Sequence, residues 1–419
     1  MGTVLVFAGL AVLIGAVAWR PHGLGPTVAA GLAVGLAALG GAVARSDFHA
    51  AATAQWRAYV TLASVMTMTS AAERMGLLAR LAAIVEPRTR GPVKHAFRVT
   101  FALSALVAAA LSNDAAILLM TPTVILLLRT VYPRRHPKFL VPFAVAVFAA
   151  AGVAPLVISN PMNLIFCDHA GIGFNAYAMV MIPVAIAGWL VSYAVLAWIF
   201  RDALADPAPA LGAWPTAPER LGPPSQVVLL TVLVALCAYP VFAYYDLPLW
   251  PVAAVGAGVC VAVSLGVGHR PSALIGGVAW TVFPFLMGVF ILAMALERVG
   301  VVAWLRSLYA TSPAPIPTIG VASAVGSAAL NNHPMSVLNA FALDGSPDPG
   351  HAHALAALVG GDLGPRLLPV GSLASLLWYD LLRKHQVEVE VKTFIRVGVL
   401  LTVPTLAVSL LVLWLVAGG

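Results

Sequence analysis

Charge is scarce in this chain. Asp, Glu, Lys and Arg together make up 9% of its 419 residues, against ~25% in an ordinary soluble domain. No stretch is polar and long enough to form a soluble domain with a core of its own. Cysteine is nearly missing too: Cys167, Cys237 and Cys260 are scattered, which excludes a disulfide framework and a cysteine metal site. Apolar–polar alternation is absent, which excludes a β-barrel. So is a Walker-type phosphate loop, so any energy source is an ion gradient or a separate subunit. The first run, Met1 to Trp19, lacks a basic start and a small-residue cleavage site, and reads as a retained first helix. The formal charge of +7 sits in short loops. That distribution fits the positive-inside pattern rather than nucleic-acid binding.

What is present is apolar. Hydrophobic residues make up 61% of the chain, and mean hydropathy is +0.95. Many separate runs of about 20 apolar residues require an all-α polytopic membrane protein, placed in the cytoplasmic (inner) membrane. Helices are expected at 2–19, 24–43 and 57–72, then an amphipathic interfacial stretch at 73–80. A polar, proline-rich linker at 201–224 separates two halves, 1–200 and 225–419.

The most informative stretch is Leu111-Ser112-Asn113-Asp114 inside the apolar run 101–128. A carboxylate at bilayer depth costs ~2.5–3.5 kcal/mol on insertion scales, so it marks a site by default. As one straight helix, the span from Arg98 to Arg129 would be ~46 Å long, against a hydrocarbon core of ~30 Å. Basic residues flank it on both sides: Arg88, Arg90, Lys94 and Arg98 before, Arg129, Arg134, Arg135 and Lys138 after. Both ends therefore belong on the cytoplasmic face. A re-entrant hairpin at 92–130 follows, with Asn113-Asp114 at its tip. A second break is expected at Ser159-Asn160-Pro161-Met162-Asn163, since proline removes a backbone donor.

The second half repeats the first. Glu297-Arg298 to Ala303 matches Glu73-Arg74 to Ala79, Ala329 to His333 matches Ala110 to Asp114, and 361–372 takes the place of 159–163. Flanks of the second hairpin (315–343) carry no Lys or Arg, which puts them outside. The copies are thus expected to be inverted repeats, with ten crossings, two hairpins and both termini outside. Discontinuous helices meeting at mid-membrane are a transporter architecture.

Singly, an Asn or Ser in a membrane helix is a helix–helix hydrogen bond, and Met66, Met68, Met120, Cys237 and Cys260 read as packing. Together, the breaks place polar groups at four equivalent positions. Asn113, Ser159, Asn160, Asn163, Asn332, Gly371 and Ser372 are the expected substrate-binding set. Asp114, His333 and Asp362 are the expected proton carriers, with Arg366 a possible partner of Asp362 or a snorkelling side chain. Asp114 could instead only cap a half-helix. Such a cavity suits a neutral polyol-like solute or an ion of few charges.

These residues have a family likeness. Asn113-Asp114, Ser159 to Asn163, Asn331-Asn332, and the run Gly361-Asp362-Leu363-Gly364-Pro365 through Pro369-Val370-Gly371-Ser372 to Trp378 resemble the ArsB arsenite/antimonite efflux permeases of the ion transporter superfamily. His333-Pro334 departs from that pattern. The resemblance implies a transporter, not an enzyme, exporting trivalent arsenic and antimony hydroxides in exchange for protons and giving metalloid resistance. It implies no cofactor, and in some cases a soluble ArsA-type ATPase as partner. Beyond membrane lipid no other partner is implied, and a monomeric transport unit is expected. Arsenite is an uncharged trihydroxide that amide, hydroxyl and backbone groups can match. Cys167, without a thiol partner, reads as incidental. The competing reading on the same fold is a sodium-coupled carboxylate transporter or a sodium/proton antiporter.

Overall fold

The computed structural model describes residues 2–19, 25–77, 80, 92–132, 136–207, 221–245, 247–345 and 351–417. Arg20, His22, Arg88, Arg90, Arg134, Arg135 and most of the 201–224 linker lie outside the described residues. What is described is helical, without strands: α1 Gly2–Trp19, α2 Pro26–Leu39, α3 Arg45–Arg74, α4 Val93–Ala110, α5 Asn113–Val131, α6 His136–Ala150, α7 Pro161–Ala170, α8 Phe174–Ile199 and α9 Arg201–Leu204. The second half holds α10 Pro223–Tyr244, α11 Trp250–Gly266, α12 Pro271–Ile275, α13 Val282–Arg298, α14 Val301–Ala310, α15 Pro315–Leu330, α16 Asn332–Leu343, α17 Ala352–Leu363, α18 Leu373–Lys384 and α19 Val391–Ala417.

Four described helices (α4, α8, α10 and α19) are each long and apolar enough to cross a membrane, and α13 with α14 makes a fifth span bent by 75°. Six further apolar runs are shorter, at 10–17 residues. Among the described residues, full-length spans are thus fewer than the ten crossings expected. The bend has a local cause. Gly300 sits at φ 93, between α13 and α14, and Gly76 sits at φ 72 just after α3. Both are left-handed positions that glycine takes without a Cβ clash. They follow Glu297-Arg298 and Glu73-Arg74, so both matched stretches stop their helices in the same way.

The second hairpin is closed by a hydrogen bond. Asn339 Nδ2 donates to Ser323 Oγ at 2.9 Å, across the break at Asn331. In a straight helix sixteen residues would span ~24 Å; here α15 and α16 lie side by side. α4 and α5 likewise pack on each other and both on α6. The halves exchange pieces. α7, which continues the first broken helix, packs on α16 of the second hairpin, and α18, which continues the second, packs on α5 of the first.

Three boundaries differ from expectation. α3 starts at Arg45, not 57, because Asp47, Ala51, Gln55 and Ala58 form one buried face at helical spacing. In the first broken helix the backbone unwinds over 151–160 and helix resumes at Pro161. Proline fits the first helical position, where its missing N–H costs nothing, so Met162 and Asn163 are helical rather than in the break. In the second, helix continues through Gly361 and Asp362 to Leu363, and the irregular part is 364–372.

Small residues bring the pieces close. A Cβ on Gly360 would lie 2.1 Å from the Gly320 carbonyl oxygen, and one on Gly364 would lie 2.3 Å from that of Ala324. These contacts are backbone against backbone, so α15 and α17 could not accept a side chain there. Cys260 is buried as expected, whereas Cys237 is exposed on α10. An apolar solvent leaves an exposed thiol on a membrane helix without penalty.

Arg298, at the end of α13, holds the start of α3. Its guanidinium donates to both Asp47 carboxylate oxygens at 2.6 Å and to the Ala42 carbonyl at 2.6 Å. These bonds hold the Asp47 carboxyl below its ordinary range. Arg74, at the matching end of α3, donates to the Ala273 carbonyl at 2.7 Å. Asp47→Asn removes the fork-to-fork geometry. It is expected to lower stability by ~1–2 kcal/mol, discounted because Arg298 is partly exposed. Thermal unfolding of the purified protein in detergent checks this, and an unchanged melting temperature would count against it.

Candidate functional site

The two hairpin tips and the two restarting helices meet around one cavity of about 270 Å³. Ser112 and Asp114 enter from the first hairpin and His333 from the second. Ile158 and Pro161 come from the first broken helix and Leu373 from the second. The rest of the wall is α2, α3 and α13, including Thr27, Thr69, Ser70, Glu73 and Thr281. Met66 lines this cavity, whereas Met68 is buried against Gly256. Among these lining residues there is no Lys or Arg.

Asp114 lies in the first turn of α5, where its charge complements the helix N-terminus. Among the described residues no hydrogen bond to its carboxylate is found, so a capping bond does not account for it. His333 is buried, and its backbone N–H donates to Asn331 Oδ1 at 3.3 Å. Asn331 itself turns the chain at φ 80, ψ 146, a positive-φ extended conformation that residues with a side chain rarely adopt. The ring Nδ1 also faces Asn331 Oδ1 at 3.4 Å, and Nε2 has no partner. This arrangement favours the tautomer protonated on Nδ1 and leaves Nε2 as an open acceptor. Phe285 stands edge-on to the ring, with centroids 5.9 Å apart.

The other expected residues sit in the wall rather than on the cavity. Asp362 is at the centre of a buried network joining the two halves. Its Oδ1 accepts from Asn160 Nδ2 at 2.7 Å, and its Oδ2 accepts from the Ala154 N–H at 2.9 Å and Asn163 Nδ2 at 3.2 Å. Asn163 Nδ2 also reaches the Tyr177 hydroxyl at 2.8 Å, which in turn donates to the Ala154 carbonyl at 2.8 Å. Asn113 Nδ2 donates to the Gly152 carbonyl at 3.1 Å, and Ser159 Oγ to the Ala109 carbonyl at 2.9 Å. Asn160 and Ser372 cap the restarting helices, accepting from the N–H groups of Met162 at 3.1 Å and Ser375 at 3.0 Å. Gly371 lies against the backbone of Pro365. Asn332 is buried, and its Oδ1 is unpartnered.

Arg366 neither snorkels nor pairs with Asp362. It is buried and donates to the Ala149 carbonyl and, at 3.2 Å, to Ser192 Oγ. A guanidinium there meets a free carbonyl at the C-terminal end of α6. Cys167 is buried away from the hairpin tips. Tyr177 and the hydroxyls of Thr69 and Ser70 were missed from the sequence.

The family model described as CitMHS, citrate transporter, matches residues 3–360. An arsenical pump membrane protein of Escherichia coli is 30% identical over 411 residues, covering 94% of each chain. The chain belongs to the ArsB permease family. A putative arsenical pump membrane protein of Bacillus subtilis is 25% identical over 422 residues, 94% of this chain and 96% of its own. Among solved structures, the YdaH transporter of Alcanivorax borkumensis superposes with a TM-score of 0.58 at 17% identity, covering 88% of this chain and 87% of its own. MtrF of Neisseria gonorrhoeae gives 0.56 at 11% identity, covering 85% and 81%. At those identities the likeness is of fold. This ArsB-family chain is a multi-pass membrane transporter, not an enzyme.

Proposed function

We propose that the chain exports trivalent arsenic and antimony hydroxides across the cytoplasmic membrane in exchange for protons. The single observation that carries this reading is the cavity wall. It offers hydroxyls (Ser112, Thr69, Ser70), an open imidazole acceptor (His333 Nε2) and two carboxyl side chains (Asp114, Glu73), with no cation among the described lining residues. A neutral trihydroxide finds donors and acceptors there. Citrate, the solute in the family model's name, would bring three carboxylates against two acids with no guanidinium or ammonium opposite, a repulsive arrangement. Sodium is disfavoured at Asp362 for a related reason: the three N–H groups facing that carboxylate would repel a cation. The names of the Escherichia coli and Bacillus subtilis relatives point the same way.

In this reading the halves act as inverted repeats. The cavity opens toward the end of α3 that carries Glu73, the cytoplasmic end by the charge pattern. Asp114 takes a proton on one side and gives it up on the other. One chain serves as the transport unit in this reading, and a proton gradient drives it. Everted vesicles from cells expressing the protein should accumulate arsenite when energised. Collapse of the proton gradient should abolish accumulation, and removal of sodium should leave it unchanged. Sodium dependence, or citrate uptake in place of arsenite, would overturn the proposal.

A further inference from the structure

A second cavity, of about 360 Å³, lies beyond the first along α3. Arg57, Ala58 and Thr61 of α3 line it, with Val157 from the unwound stretch and Leu164 and Cys167 from α7. The cavity between the hairpin tips takes up the same elements one step further on. There α3 contributes Leu62 and Val65, and the broken helix contributes Ile158 and Pro161. The dividing line thus falls between adjacent residues twice, at Thr61/Leu62 and at Val157/Ile158. Leu62, Val157, Ile158 and Leu164 belong to one packed apolar cluster, and α3 packs directly on α7. Neighbouring residues of the same two elements thus face the two spaces. One of those elements includes a three-residue 3₁₀ turn, Val157–Ser159, whose short length leaves it fewer internal hydrogen bonds to break than an α-helix.

The two cavities open at different levels of α3, one at its C-terminal end and one about midway along it. Glu73 marks one mouth, and Arg57 and Asp168 mark the other, both exposed. Trp56 stacks near Trp250 at 5.6 Å beside the second mouth, the aromatic placement expected at a membrane–water boundary. We infer that the 360 Å³ cavity is the release vestibule of the transport path, and that the Val157–Ser159 turn against Thr61 and Leu62 is the barrier the cargo must pass. Its wall mixes the Thr61 hydroxyl, Arg57 and Asp168 with apolar side chains, which suits a small neutral solute regaining its water. The inference rests on the functional reading above only for the identity of that solute.

The test uses full-length protein with Cys167, Cys237 and Cys260 changed to Ser, and Leu247→Cys on the exposed rim of the vestibule. Intact cells are treated with a bulky membrane-impermeant maleimide, and the same variant before labelling is the reference. Labelling from outside should occur, and arsenite export should then fall to background. Reaction only from the cytoplasmic side, or labelled protein that exports like the unlabelled reference, would overturn the inference. If the unlabelled variant exports no arsenite while the natural chain does, Val157→Trp in the natural chain replaces it. That plug should stop export while arsenite still binds the purified protein, and unchanged export would overturn the inference. If even the natural chain exports no arsenite, the functional reading fails, and the side from which Leu247→Cys reacts still decides whether this cavity faces outward.

Discussion

Asp114→Asn should bind arsenite and fail to pump it. Asparagine keeps the size and a hydrogen-bonding end of the side chain but cannot exchange a proton. A neutral cargo carries no charge of its own, so coupling needs a titrating protein group exposed alternately to the two sides. Asp114 meets that need by geometry. It lines the cavity at the first hairpin tip, and no described donor holds its carboxylate. Proton-driven accumulation in everted vesicles should fall to background. Arsenite binding by purified protein should change by no more than the ~1 kcal/mol of one altered hydrogen bond. If the variant pumps with an unchanged dependence on pH, the carrier is another group, and His333, on the same cavity, is the next to test.

Part of this site was legible in the sequence: Asp114 and His333 line the cavity, the expected substrate-binding set does not, and the limits have physical causes. The first hairpin tip announced itself because an amide beside a carboxylate is expensive in an apolar run, and the second by its match to the first. Asn331 and Gly300 likewise mark places where the backbone leaves the helical region. The first unwound stretch did not show. Residues 151–158 are Ala, Gly, Val, Ala, Pro, Leu, Val and Ile, so hydropathy carries no sign of a break there. The backbone groups it frees are met from elsewhere: Asp362 accepts the Ala154 N–H, Tyr177 donates to the Ala154 carbonyl, and Asn113 donates to that of Gly152. Those partners are 23 to 208 residues away along the chain, which local pattern cannot reveal. The asparagines were visible as polar residues, but their sequence position could not say whether they face a cargo or the backbone. Thr69 and Ser70 escaped notice because hydroxyls are small and common in membrane helices. The early start of α3 could have been found, since Asp47, Ala51, Gln55 and Ala58 recur at helical spacing.

Asp362→Leu should have the largest effect on stability. The carboxylate accepts three hydrogen bonds in a buried setting. Leucine would leave the Ala154 N–H and Asn160 Nδ2 without partners, at ~1–3 kcal/mol each. Asn163 keeps Tyr177 and suffers less. A loss of ~3–5 kcal/mol is therefore expected, as when one partner of a buried charged network is removed. Asp362→Asn, which retains an acceptor oxygen, should recover part of it. Thermal unfolding of both variants, followed by size-exclusion chromatography in detergent, reads this out. Equal melting temperatures for Asp362→Leu and the natural chain would show that the two halves do not depend on this junction.

The two arginines that close equivalent helices make the ends of the molecule unequal. At one end Arg298 grips a carboxylate with two prongs and a carbonyl besides; at the other Arg74 holds a single carbonyl. Any rocking of one half on the other must part each end in turn. Both ends are charge-assisted, but parting the Asp47 end gives up three such bonds, two of them to a carboxylate, against one at the Arg74 end. The form that keeps the Asp47 end closed is therefore favoured over the form that opens it before any ligand binds. A cargo entering at the Glu73 side shifts the molecule toward the form opened at the Asp47 end only by binding that form more tightly.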